Sequence, residues 1–576
     1  MSKTKQKSMS SVSFDRFGGI NRSAPHGDGV FANDIMNFRV CKDGSLKKRE
    51  GYRLLSTMED NIRALHGGMI NGNYTLFVLS GANIYTVDCE TGEKNLVGSI
   101  ETSEGKAFFF NYRGNIIVAD GTCFFRYRDG ELKKVMGYVP LFGVNWTNDL
   151  VGEVNEPRNI LTKRARITYV VGDPKSIFMN TKYRAESVEA VYHNGKLLPP
   201  EKYYIDDSFT TIDVLGVATG DTVEIFFTYE TKNEDICNKL YSITASALFG
   251  GNTNNRIFLC GGNDTGTVFC SKHVSSENLE RNLLHFPDSD EFYFPEGYQF
   301  EAGDGINSVK NIVRHYDKLL IFTEGDVWMA SPDSDGRDDF PATSVNAEIG
   351  CSAKNGAILV GNDTVSVGQG SVWLWTNDSD SPSKCKATKI SGEVDSELRA
   401  FGLQDCSVFY DRNESELWLY SNNSDVVWIY NFEVAAWYKF CGFSADIIFD
   451  AYGKVGFSQG KQIFLFDSAL AHDNYGDGDI KIQAYYQSAP IHFGDGKMIN
   501  LSSATVSADL FGDPLGLVFQ GRETKETKCV FTDGNSDERS LIKKRMSSGR
   551  FNTATFRIES DSNNRQKISR LTFTTR

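Results

Sequence analysis

Apolar and polar residues alternate along most of this chain in short runs, and the runs recur in groups. Residues 62 to 100 hold four of them, IRALHGGM, YTLFVLS, NIYTVD and KNLVGSI, and residues 106 to 136 hold KAFFFNY, NIIVAD, CFFRYR and LKKVM. Alternation of period two over five to eight residues predicts strands with one buried face. The residues between runs suit tight hairpins: Asn71-Gly72, Gly81-Ala82-Asn83, Arg113-Gly114-Asn115 and Asp129-Gly130. Each group reads as a four-stranded meander.

The pattern resumes near Tyr241 with ITASALF, RIFLCGG and TVFCSKH, and continues in groups at 308–350, 356–391, 407–440 and 446–467. Four-strand groups at a spacing near ~40 residues predict blades of a β-propeller, six or seven according to how the groups are divided. The last group, DIIFDAY, KVGFSQ and QIFLFD, has only three clear strands. A propeller often completes its last blade with a strand from the other terminus, which gives the N-terminal region a closing role. ENLERNLL, at 277–284, is the one short helix expected.

Two regions break the repeat. Residues 137–182 read as irregular, and from Tyr183 a separate module follows, with an Asn194-Gly195 turn, Tyr203-Tyr204-Ile205-Asp206 and Gly220-Asp221-Thr222-Val223. Beyond DSALAHDNYGDGDI at 467–480, alternating strands run to the end of the chain. The expected fold is all-β. An N-terminal arm (1–60) closes a propeller, whose blades occupy 61–149 and 236–470. A small β-sandwich is inserted at 150–235, and a C-terminal β-sandwich occupies 471–576.

Composition narrows the function. The formal net charge is −14, so the chain as a whole is not an electrostatic nucleic-acid binder. Residues 521–576 run the other way, with 13 Lys/Arg against 7 Asp/Glu, a net of +6 that leaves −20 on the remainder. The 11 cysteines are scattered, with no CxxC, and fit small buried thiols in a reducing compartment. The polar, basic start MSKTKQKSMSS has no apolar stretch of a secretory signal. No run approaches the ~20 apolar residues that span a bilayer.

Catalytic and metal motifs do not emerge. No two of the 8 histidines lie within five residues, and neither a G-x-S-x-G elbow nor a phosphate-binding loop occurs. Gly27-Asp28-Gly29 lacks the strand–turn–helix setting of a dinucleotide site. The acidic loop at 473–479 fails as a calcium loop at Tyr475, the one at 331–336 is out of register for the Ser-x-Asp-x-Gly-x-x-Trp boxes of sialidase propellers, and both read as solvated turns. The aromatic strands SVWLWT, ELWLYS, VVWIYN and AAWYKF read as packing between blades rather than as sugar platforms. No cofactor, metal or catalytic residue is expected, and the chain does not read as an enzyme.

The opening stretch FGGINRSAPHGDGVFANDIMNFRVCKDGSLKKREGY, residues 17–52, carries a further signal. Its GGIN … D … NFR … DGSL-x-x-R-x-GY pattern resembles the start of phage tail proteins of the nozzle, or tail tubular protein B, type. The module at 183–231 resembles small sandwiches of phage tail and fibre proteins, and the order of parts agrees. The resemblance implies a virion protein of a bacteriophage tail, made in the bacterial cytoplasm. About six copies would ring a channel below the portal and its head–tail adaptor. The ring would retain the genome and conduct DNA during ejection without sequence-specific binding, and would contact tail fibres or other tail proteins. An acidic lumen is expected, because DNA must slide past it. Lys47, Lys48 and Arg49, and Lys543, Lys544 and Arg545, are the candidate partner contacts, against a reading of each as plain surface. The alternative functions are a propeller carbohydrate-binding protein or glycan depolymerase, or a tail-fibre or receptor-binding adaptor.

Overall fold

The computed structural model describes residues 10–576 except 24–30, 71–72, 147–152, 155, 173–176, 179–184, 208–210, 231–233, 251–255, 263–265, 304, 332–339, 379–380, 477, 494–496, 523 and 534–538. The protein is mainly β, and its chain forms two compact units: Met1–Ser99 with Asn355–Arg576, and Ile100–Lys354.

The first unit holds four four-stranded antiparallel meanders that resemble propeller blades. One is Ile62–Ile70, Asn73–Ser80, Asn83–Val87 and Lys94–Ser99; a second spans Ala357–Val360 to Ser381–Lys389; a third spans Ser407–Asp411 to Ala436–Cys441. The last is made of Ile447–Asp450, Val455–Gln459, Gln462–Asp467 and β5 (Gly51–Thr57). β5 runs antiparallel to Gln462–Asp467, from Thr57 opposite Gln462 to Gly51 opposite Asp467. It is the fourth strand that the C-terminal group lacked. The first meander and this last one share a core of Leu55, Ile62, Leu76, Val78, Phe449 and Ile463.

The N-terminal region supplies four further strands, β1 (Ser10–Phe14), β2 (Ala32–Met36), β3 (Phe38–Val40) and β4 (Leu46–Lys48). The C-terminal strands that receive them are β6 (Leu501–Asp509), β7 (Ser540–Arg545) and β8 (Lys567–Thr575). β8 pairs with β6 along one edge and with β1, then β4, along the other. β2 lies between Ala436–Cys441 of the third blade and Ala484–Ser488 of the C-terminal region, which fuses blade and sandwich into one ten-stranded sheet. Phe14, Phe493, Phe519, Phe556 and Phe573 fill the space between the two C-terminal sheets. The described strands of this region, from Ser10 to Thr57, are therefore woven through three sheets rather than laid on one. The sandwich begins near Ala484, since His472–Asn474 and Asp479–Lys481 belong to the sheet of β5.

The second unit holds three more blade-like meanders, Phe108–Tyr112 to Glu131–Lys134, Ala245–Phe249 to Phe300–Glu301, and Val309–His315 to Ala342–Asn346. Hairpin dipeptides set their turns: Arg113-Gly114 and Asp129-Gly130 both carry two consecutive positive φ values, as a two-residue turn between right-twisted strands requires. The inserted module starts at Leu141 rather than 150. Leu141–Trp146 joins a six-stranded sheet with Arg164–Val170, Thr222–Tyr229 and Ala185–His193, which faces the three-stranded sheet Ile177–Phe178, Thr211–Val214 and Tyr203–Ile205 across a core of Ile167, Tyr169, Val191, Ile212, Val214 and Ile225. Three α-helices occur among the described residues, α1 (Glu234–Tyr241), α2 (Ser276–His285) and α3 (Asp395–Phe401). None of these is long and apolar enough to cross a membrane.

Candidate interaction faces

The two basic tripeptides singled out in the sequence lie in one sheet, whose order is β3, β4, β8, β6, β7. β4 is interior, with β3 on one side and β8 on the other. Lys48 and Arg49 are buried there, which corrects the expectation that both side chains reach a partner. The Lys48 ammonium donates to the Ser562 carbonyl at 2.5 Å. Burial, with Arg49 beside it, lowers its pKa to about 8. Lys47 is half-buried, opposite Lys567 of β8.

Arg49 is held on all sides. Its Nη1 and Nη2 donate to the two carboxylate oxygens of Asp473 at 2.8 and 2.6 Å, and its Nε donates to Asn37 Oδ1 at 3.0 Å. Arg39, ten residues earlier, forms the companion cluster. It donates to both oxygens of Glu416 at 2.6 and 3.1 Å and to Glu50 Oε2 at 2.6 Å, while Arg565 reaches the same Glu50 oxygen at 3.0 Å. Burial works against the charge on Arg39, but Glu416 and Glu50 hold its pKa well above the ordinary value. Burial likewise opposes ionisation of Glu50, yet Arg39 and Arg565 bring its pKa down to about 2. Burial pushes Glu416 up, against donors from Arg39, Tyr438 and Trp418. These clusters fasten the opening stretch to the third blade, the last blade and the sandwich.

The second tripeptide has the opposite setting. β7 pairs with β6, from Ser503 opposite Arg545 to Ala508 opposite Ser540, and no strand among the described residues pairs with its other side. Lys543 and Arg545 are exposed beside Leu541, and Lys544 is half-buried.

The residue types that would carry chemistry are committed elsewhere. Asp473 of the 473–479 loop is spent on Arg49, and Asp479 accepts from Asn474 at 2.8 Å. The other acidic loop falls mostly outside the described residues, at 332–339. No group of three His, Cys, Asp or Glu among the described residues could hold a metal. Asp290 is the most perturbed carboxyl of the second unit: burial raises its pKa to about 6. Its oxygens accept from the backbone N–H groups of Met136, Gly137 and Phe292, which ties two loops together and leaves it no open face. Trp375, Trp418 and Trp437 are fully buried, so the aromatic strands pack the core. None of the 11 cysteines is disulfide-bonded, and five are buried.

Two clefts open on the outer side of the ten-stranded sheet. One, of about 440 Å³, is lined by Met36, Tyr485, Val530, Arg557 and Glu559. The other, of about 500 Å³, is lined by His492, Gln520, Arg522, Thr553 and Thr555. In the first, Arg557 stacks on Tyr485 at 4.0 Å and pairs with Glu559 at 3.0 Å.

No family model matches this chain, and no curated protein does. Solved structures similar to it include BBS1N in complex with ARL6DN, with 8% identity over 73% of this chain and 98% of that one at a TM-score of 0.34. A streptogramin B lyase has 9% identity over 79% and 97% at 0.34. Apo AztD from Citrobacter koseri has 10% identity over 67% and 86% at 0.30. The fold described above rests on the strand pairing and not on these likenesses.

Proposed function

We propose that this protein is a structural component of a bacteriophage tail, a ring-forming nozzle below the portal and its adaptor. The ring holds the packaged genome and conducts it outward. The observation that carries the reading is the fate of the opening stretch. The residues that resemble the nozzle family become β2 to β4 and the start of β5, and β5 completes the last blade beside the first. Completion of the last blade by a strand from the other end of the chain, beside the first blade, is the way a propeller closes. The inserted module and the C-terminal sandwich follow in the order that the resemblance implies. With −14 overall, the chain repels rather than holds DNA, as a conduit requires.

Light scattering with negative-stain imaging of the purified chain tests the reading. A closed ring with a central hole, of about six copies, is the expected result. A monomer that binds or hydrolyses host polysaccharide would replace it with the glycan-directed alternative.

A further inference from the structure

Two surface strips of this chain share a layout, an exposed leucine at one end and two like charges beside it, and are opposite in charge. The first is the outer face of β7, where Leu541 is 74% exposed and Lys543 and Arg545 follow at alternate positions. Alternate residues of a strand lie roughly 7 Å apart, so this strip is about 14 Å long. A sheet edge guarded only against aggregation carries charge. A large apolar side chain left open there, next to two cations, is the composition of a contact.

The second strip lies on α2, in the second unit. Glu277, Glu280 and Leu284 fall on one face of the helix, with Leu284, 76% exposed, one turn beyond Glu280 at the end of the strip. At 1.5 Å per residue that strip is about 10 Å long. Among the described residues, Lys543, Arg545, Glu277 and Glu280 make no ion pair or side-chain hydrogen bond within the chain. The same asymmetry holds on a larger scale. The second unit carries 37 Asp/Glu against 25 Lys/Arg, a net of −12, whereas residues 521–576 carry +6.

We infer that β7 of one copy docks on α2 of a second copy of this chain, with Leu541 against Leu284 and with Lys543 and Arg545 facing Glu277 and Glu280. The inference rests on the ring reading above and names the contact that builds the ring. The two strips are different patches, so the contact is heterologous. It repeats from copy to copy until the rotation closes.

The full chain, followed by light scattering over a concentration series, tests this. Lys543→Glu with Arg545→Glu, and separately Glu277→Lys with Glu280→Lys, each weaken assembly at least about tenfold, because like charges then face each other. All four side chains are exposed, so the β7 variant melts close to the wild type, and the α2 variant loses only the small helix-dipole contribution of Glu277 in its first turn. Mixing the two variants in equal amounts restores assembly, since each reversed strip meets the other reversed strip and the native strips meet each other. Variants that assemble as the wild type does, or a mixture that stays dissociated, overturn this contact and leave the ring reading standing. A wild type that is monomeric at every concentration overturns both.

Discussion

The chain contains the tripeptide Lys-Lys-Arg twice, at 47–49 and at 543–545, and both copies belong to one sheet. At β4 the strand has neighbours on both sides. Its charges are drawn inward, where Lys48 and Arg49 are committed to Ser562, Asp473 and Asn37. At β7 the strand has one neighbour among the described residues, and Lys543 and Arg545 stand in solvent. Identical residues thus do opposite work, and the number of hydrogen-bonded neighbours of the strand decides which. A charge on an interior strand needs a partner of its own chain, because a buried unpaired ion is costly. A charge at an edge is free to meet another molecule.

That contrast can be broken most forcefully at Arg49. Arg49→Met leaves Asp473 buried without its partner and is expected to cost about 3–5 kcal/mol, read by urea unfolding followed through tryptophan fluorescence. Adding Asp473→Leu recovers much of that loss, because an apolar pair of similar volume removes the stranded charge. Next in size is acid. The folded pKa of Glu50, about 2, lies below its ordinary value of 4.5, so ionisation of this carboxyl favours the fold. Its contribution, on the order of 3 kcal/mol, is complete above pH 4.5 and is lost as the pH falls toward 2. Glu50→Gln flattens that part of the stability–pH curve. Gly51→Ala comes third. A Cβ there would lie 1.8 Å from the backbone oxygen of His472, so β5 must shift against its sheet, with an expected loss of about 1–3 kcal/mol in thermal unfolding. At the other tripeptide, Lys543→Ala with Arg545→Ala is expected to move stability by less than about 0.5 kcal/mol. If that variant unfolds early, β7 is not the open edge described above.

The meanders were legible because their causes are local. Alternation of period two, and turns such as Arg113-Gly114, act within ten residues of chain. The missing fourth strand of the last group was legible by count. The ionic clusters were not, because Arg39 and Glu416 lie 377 residues apart and Arg49 and Asp473 lie 424 apart. One clue was present: Glu416 occupies the same phase as Trp418 and Tyr420 in ELWLY, and all five residues are buried. A carboxylate on the inward phase of an apolar strand demands a buried cation. The strand at Arg164–Val170 was obscured because its central residues are all buried, which erases alternation. α1 and α3, with 8 and 7 residues, are too short to display a helical period. The start of the inserted module moved to Leu141 because that strand pairs in parallel with Arg164–Val170, a long-range choice that local patterning does not encode.

The pairing of β5 also orders events during biosynthesis. Residues 51–57 leave the ribosome early, but their partner strand, Gln462–Asp467, is about 400 residues downstream. At 5–20 residues per second this is a wait of roughly 20–80 s. During that time β1, β2 and β5 have no strand to join, and the β3–β4 hairpin lacks the β8 edge that extends it. The meanders between them can form one by one as they emerge, whereas the last blade and the C-terminal sheets must be assembled after translation is nearly complete. A nascent chain halted before Gln462 thus keeps its front end loose and open to proteases, however well its middle has folded.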